Sequence, residues 1–224
     1  NKVMSGGKWD GMMTQKHIGY RSWNDNFRRD MLPMTTRVET AEIGGGFSFA
    51  PSDGFVAMEA EHYYSSTAPV GSQWSTYPDY GRIRSAVALT PYTQPVGDAA
   101  LTYRFSMPEG VKHVEVHVVV KSTLDFLNVG GYEYTVSLDG SAPETVNFNR
   151  TLVDRQPYMY SEFYPAVARR IVEKVVQLPV NKDGTHELTI RPRHPGIVFE
   201  KVVVDFGGYQ PSYLFGTESR YVKK

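Results

Sequence analysis

The chain has 224 residues in which 24 Lys+Arg balance 24 Asp+Glu, so no net field draws it as a whole to nucleic acid or to an anionic membrane. It has no cysteine, which excludes a disulfide framework, thiol catalysis and cysteine-based zinc sites. Hydrophobic residues make up 41%, and 15 tyrosines stand out, a globular composition tilted towards strands and stacking surfaces.

Residues 1–32 carry Trp9, Met12, Met13, Ile18, Tyr20, Trp23 and Phe27 with no sustained period, and Gly6, Gly7, Gly11 and Gly19 interrupt any long element. They read as an extended arm whose aromatic residues, with His17, pack on another domain. Residues 33–52 read as a linker. Its Gly44-Gly45-Gly46 triplet is followed by no Lys-Ser/Thr, so a nucleotide-binding loop is not indicated.

From residue 53 to 224 the pattern predicts an all-β, antiparallel sandwich of jelly-roll-like type. Leu101, Tyr103 and Phe105 alternate before the Pro108-Glu109-Gly110 turn. Val114, Val116, Val118 and Val120 fall on one strand face, and His113, Glu115, His117 and Lys121 on the other. Tyr132, Tyr134, Val136 and Leu138 repeat the pattern and end at Asp139-Gly140, a hairpin signal. A short helix is expected within residues 166–177, with strand as the competing reading over residues 175–178. Residues 187–191 and 198–206 supply the closing strands. Strands at this spacing favour a sandwich over a βαβ sheet. No apolar run reaches the length of a membrane span.

Three constellations bear on chemistry. Glu59 and Glu61 are two residues apart, on one side of a strand, where two carboxylates can share a hard cation such as calcium. The competing reading is a strand face paired with Arg or Lys. The tract Met58-Glu59-Ala60-Glu61 resembles the first strand of family 6 and family 35 carbohydrate-binding modules, and that resemblance adds Asp205, in the last strand, to a structural calcium site. His113, Glu115 and His117 could ligate a metal, but side chains along one straight strand do not converge, so a solvent-facing polar face is expected. The segment from Arg155 to Tyr164 places Tyr158, Tyr160, Phe163 and Tyr164 close together. Tyr158 and Tyr160 offer faces for a sugar ring and Arg155 a partner for a uronate carboxylate; an anchor at a domain interface needs the same residue types. No pair of carboxyl groups faces another across a gap suited to glycoside hydrolysis, so no catalytic residue is assigned.

The two ends of the chain carry a family resemblance. Gly7-Lys8-Trp9-Asp10-Gly11-Met12-Met13-Thr14-Gln15-Lys16-His17-Ile18-Gly19-Tyr20, with Trp23, and Pro211-Ser212-Tyr213-Leu214-Phe215-Gly216-Thr217-Glu218-Ser219 resemble the segments that open and close the C-terminal region of family 115 glycoside hydrolases. Ile83-Arg84-Ser85-Ala86, Ser122-Thr123-Leu124 and Pro195-Gly196-Ile197-Val198 extend the match. The chain departs from the family pattern at Asn24-Asp25-Asn26-Phe27 and at Phe215-Gly216-Thr217. The resemblance implies a C-terminal accessory part of an α-glucuronidase that removes (4-O-methyl-)glucuronic acid from glucuronoxylan. Its catalytic carboxylates would lie in a preceding (β/α)₈ barrel, the chain's first partner. Glucuronoxylan oligosaccharides and a second protomer are the others, and a secreted or periplasmic bacterial location follows from the same resemblance. Two further readings stay open: a free-standing carbohydrate-binding module, and a structural or adhesive sandwich without sugar contact.

Overall fold

The structure, a computed structural model, describes residues 3–8 and 44–223. The chain divides into two units, Asn1–Ala41 and Glu42–Lys224. Of the first, a single 3-10 turn, Met4–Gly7, is described; Trp9, His17, Tyr20 and Trp23 lie outside the described residues.

The second unit begins with β1 (Phe47–Phe49), β2 (Phe55–Glu59), β3 (Ser65–Thr67), β4 (Gln73–Tyr77) and β5 (Ala86–Thr90). It continues through β6 (Ala100–Ser106), β7 (His113–Lys121), β8 (Glu133–Leu138) and β9 (Glu144–Asn147). A π-helical turn, Met159–Phe163, and a short helix α1 (Tyr164–Arg169) then precede β10 (Ile171–Pro179), β11 (Thr185–Pro192), β12 (Val198–Asp205) and β13 (Tyr221–Lys223).

These strands form two sheets. One runs β13-β1-β6-β11-β8-β9 with β3 also on β6; the other runs β10-β7-β12-β5-β4 with β2 also on β12. Pairing is antiparallel except between β1 and β6, which run parallel. The inner faces meet in one apolar core that includes Val114, Val116, Val118 and Val120 of β7, Val202 and Val204 of β12, and Leu101, Tyr103 and Phe105 of β6. The strand period of two aims each of these rows inward. The hairpin after β8 forms as the sequence indicates, with Asp139 and Gly140 at φ of 52° and 76°, the left-handed conformations a tight hairpin turn requires.

Two features differ from the sequence reading. Phe47–Phe49, inside the stretch read as a linker, is a strand held between β6 and β13. The helix expected over residues 166–177 ends at Arg169, because Arg170 adopts a left-handed conformation and the β-branched residues of the following segment join β7 as β10. As the alternation of Tyr103 with Leu101 and Phe105, and of Tyr132 and Tyr134 with Val136 and Leu138, indicates, tyrosine serves the core as well as the surface. Tyr103, Tyr132 and Tyr134 are fully buried. The Tyr103 hydroxyl donates to the Ala60 carbonyl at 3.0 Å, and the Tyr132 hydroxyl accepts from the Leu127 N–H at 3.1 Å.

The outer face of the β10-β7-β12-β2 region is also covered. Phe55, Ala57, Val119, Ile171 and Val203 form a second apolar cluster with Tyr209 and Phe215 of the tail. Beyond that cluster the tail runs along β2: Ser219 N–H donates to the Ala57 carbonyl at 2.9 Å, and its hydroxyl accepts from Ala57 N–H at 3.0 Å. The chain then enters the opposite sheet as β13 beside β1. The tail therefore staples one sheet to the other, which explains why a sandwich needs these final residues.

Candidate functional site

The conditions beneath the tail decide the calcium expectation. In the β2–β12 ladder Glu59 faces Lys201, whereas Asp205 faces Phe55, four positions further along. At about 3.3 Å rise per residue this separates the two acids by roughly 13 Å along the strand. Glu59 and Lys201 are 2% and 3% exposed at their side chains, and Lys201 Nζ lies 2.9 Å from Glu59 Oε1. The same ammonium donates to the carbonyls of Leu214 at 3.1 Å and Gly216 at 2.7 Å. It occupies the place a cation would take. Burial pushes the Glu59 carboxyl up, and Lys201 pulls against that shift. Glu61 lies past the end of β2, where one oxygen accepts from Ser85 N–H at 3.2 Å and the other, also buried, has no partner. Glu59, Glu61 and Asp205 therefore do not converge on one ion, and the paired-strand-face reading replaces the calcium reading at Glu59. Beside it, the buried His62 binds Glu218 of the tail at 2.5 Å, and Glu218 also accepts from Glu59 N–H at 3.2 Å.

The aromatic segment is at the surface. Tyr158 is 37% and Tyr160 69% exposed, and Arg155 is exposed too. Tyr160 packs on Tyr164 with ring centroids 5.5 Å apart. The segment is anchored below by Glu162, which accepts from Thr151 at 2.5 Å and from Lys174 at 3.2 Å. Those two donors outweigh burial and hold the Glu162 carboxyl below the usual range. Tyr158, Tyr160 and Arg155 do not line the main cleft found among the described residues.

That cleft, of about 870 Å³, is bordered by Asp79, Tyr80, Gly81, Tyr92, Lys121, Ser122, Thr123, Phe126, Arg170, Gly196 and Val198. Five separate segments build it, among them the turn into β12 with Gly196 and Val198. The turn after β4 brings Tyr80, the loop after β5 brings Tyr92, the end of β7 and its following loop bring Lys121 and Phe126, and the left-handed end of α1 brings Arg170. Tyr80, Tyr92 and Phe126 are all exposed. Tyr92 is fixed by a hydrogen bond between its hydroxyl and that of Tyr77. Burial, with Tyr77 beside it, pushes the Tyr92 hydroxyl up to about 12. Lys121 lies 4.7 Å from the Tyr80 ring centre and 2.5 Å from Glu200, which a register shift between Phe199 and Lys201 carries out of the regular ladder. Arg170 is exposed and has no carboxylate within 4 Å among the described residues. Gly196, at φ +82°, leaves room for Phe126: a Cβ there would stand 2.7 Å from the ring.

The cleft thus joins three aromatic faces, one held cation and one uncommitted cation. Chemically it can stack apolar ring faces, donate hydrogen bonds and pair an anion. The sequence reading did not find it, because its residues come from segments that only the fold brings together. The one local signal was Ser122-Thr123-Leu124 with Pro195-Gly196-Ile197-Val198, both already set apart as family-like stretches.

The fold defines an all-β protein, a two-sheet sandwich with a stapling tail and a cleft lined by Tyr80, Tyr92, Lys121, Phe126 and Arg170. The chain belongs to glycosyl hydrolase family 115: the C-terminal domain of that family matches residues 48–218. Among solved structures it resembles BtGH115A, a family 115 4-O-methyl-α-glucuronidase with specificity for decorated arabinogalactans, at 20% identity and a TM-score of 0.50. The match covers 80% of this chain and 19% of that one, so the chain corresponds to a small part of the relative's length. The C-terminal family 6 module of LamC from Zobellia galactanivorans aligns at 13% identity and a TM-score of 0.42, over 67% of this chain and 98% of its own. A family 35 carbohydrate-binding module from Clostridium thermocellum aligns at 12% identity and 0.44, over 66% and 97%. Among curated proteins none matches the sequence.

Proposed function

We propose that this chain is the accessory C-terminal sandwich of an α-glucuronidase, and that its cleft holds a uronosyl-decorated polysaccharide while a preceding catalytic barrel cleaves it. The family match over residues 48–218 carries the reading. The chemistry of the cleft supports it further. A glucuronosyl unit presents an apolar ring face and a carboxylate; Tyr80, Tyr92 and Phe126 suit the face, and Arg170 suits the carboxylate. Glucuronoxylan is the substrate expected from the sequence, and decorated arabinogalactan, named for BtGH115A, is the alternative to set beside it.

The exposed Tyr158, Tyr160 and Arg155 are the second part of the proposal: a surface for the catalytic barrel or a second protomer, where they would border the substrate pocket of the assembled enzyme. A free-standing carbohydrate-binding role needs only the cleft, and leaves these exposed aromatic residues without use. On the accessory reading the chain alone is not catalytic, and the parent enzyme works outside the cytoplasm. The test is incubation of the purified 224-residue chain with glucuronoxylan and with glucuronosylated arabinogalactan. No release of glucuronic acid is expected from either; release that Glu59→Gln or Glu61→Gln abolishes would overturn the accessory role.

A further inference from the structure

At the other end of the same outer sheet face, three side chains from two strands meet. Glu115 and His117 lie two residues apart on β7, and Asp205 sits directly opposite Glu115 on β12. One candidate ligand atom from each of Glu115, His117 and Asp205 lies within 4.8 Å of the other two. The straight-strand argument against a metal at His113, Glu115 and His117 fails here for a simple reason: the third ligand comes from the neighbouring strand. His113 is not part of the cluster.

Every member is held from behind with one atom to spare. Asp205 Oδ1 accepts from the N–H groups of Gly207, Gly208 and Tyr209, at 2.8, 2.9 and 3.0 Å, which leaves Oδ2 uncommitted. Glu115 Oε1 accepts from the Gln177 amide at 3.0 Å, which leaves Oε2. His117 is only 7% exposed; its Nδ1 is 2.8 Å from Glu173 on β10, and its Nε2 is buried without a partner. Because β7 lies between β10 and β12, an imidazole whose Nδ1 is bound on the β10 side turns Nε2 towards the β12 side, where Asp205 stands. The Tyr209 ring, edge-on at 4.9 Å, fixes that orientation.

Left alone, this arrangement is unfavourable. Two carboxylates directly across a ladder repel one another, and no Lys or Arg pairs with either among the described residues. A buried imidazole nitrogen without a partner adds a desolvation cost. A single cation relieves both. We infer that Glu115, His117 and Asp205 form a binding site for a divalent transition metal, with zinc as the best fit. One imidazole and two carboxylates suit zinc and its first-row neighbours, whereas calcium takes oxygen ligands alone. The Glu173 carboxylate behind Nδ1 is the outer-shell partner that such a ligating histidine uses to fix its tautomer. The loop that binds Asp205 is also the start of the tail, so the metal would lock the point where the tail leaves β12.

The test uses the untagged 224-residue chain after treatment with a chelator and its removal. Zinc chloride should raise the melting temperature and bind with one-to-one stoichiometry by calorimetry. Glu115→Gln, a near-isosteric change at an exposed position, should weaken zinc binding by at least about ten-fold, the loss that removing even an outer-shell partner of a metal ligand causes. Cobalt(II) should develop a visible absorption band that His117→Gln abolishes. Absence of heat and of a thermal shift with zinc would overturn the assignment. So would unchanged affinity in Glu115→Gln, or calcium producing an equal shift that Glu115→Gln removes.

Discussion

Lys201→Met is the perturbation on which the reading of the buried outer face depends most. Lys201 and Glu59 are both almost fully buried and 2.9 Å apart. Removing the ammonium leaves an uncompensated carboxylate beneath the tail, a change that costs about 3–5 kcal/mol in comparable sites. It also leaves the Leu214 and Gly216 carbonyls without their donor, at about 1 kcal/mol each. For a domain of this size each kcal/mol moves the melting temperature by about 2–4 °C, so the pair alone predicts a fall of roughly 6–20 °C. Urea denaturation gives the free energy and differential scanning calorimetry the shift. The double variant Glu59→Leu/Lys201→Met removes both charges together and should recover most of the loss, remaining about 2 kcal/mol below the parent through the two carbonyls. A Lys201→Met protein within about 1 kcal/mol of the parent would refute the reasoning, since that is the range of exposed pairs. A melting temperature that calcium raises in the parent and that Glu59→Gln renders insensitive would refute it from the other side.

Phe215→Ala should cost about 3–5 kcal/mol, the range for a buried aromatic, and should speed hydrogen exchange at Ser219 N–H, because Phe215 seats the tail on the outer cluster. Gly196→Ala should destabilise by about 1–3 kcal/mol, since its φ is positive and a Cβ meets Phe126, and should alter the Phe126 ring signals by NMR. Burial pushes the Asp139 carboxyl up, but Glu187 N–H, His186 and Lys182 outweigh it and hold it below the usual range. Its folded pKa is thus depressed, so its stabilisation is present above about pH 4 and disappears as the pH falls through the folded value. Urea midpoints of Asp139→Asn should therefore depend less steeply on pH below about pH 4 than those of the parent.

Alternation along single strands was legible from the residues alone. The valines of β7, the Tyr132 to Leu138 run and the Asp139-Gly140 turn each encode their geometry locally, because a period of two and a left-handed turn need no distant partner. Charge inside β12 was not. Glu200 and Lys201 lie in a stretch whose sequence indicates only a closing strand, yet both are buried, since both faces of that strand are covered. A charged pair within an otherwise apolar strand was the available signal, but its partners Glu59 and Lys121 follow from ladder register, which the sequence does not state. The metal cluster was missed for the same reason: Asp205 and Glu115 become neighbours only through the β7–β12 pairing. The surface placement of Tyr158 and Tyr160 did follow from composition, because so many aromatic residues in one short loop exceed what a single edge can bury.

The proposed role of the cleft is tested most directly by calorimetric titration of the 224-residue chain with a glucuronosylated xylo-oligosaccharide and with its undecorated backbone. The account predicts that the decorated sugar binds more tightly, and that Arg170→Ala removes this preference while leaving the weaker contribution of the aromatic faces. Rising salt should weaken the decorated sugar alone, as expected for an exposed ion pair. Equal affinity for both sugars, or a preference that survives Arg170→Ala, would contradict it.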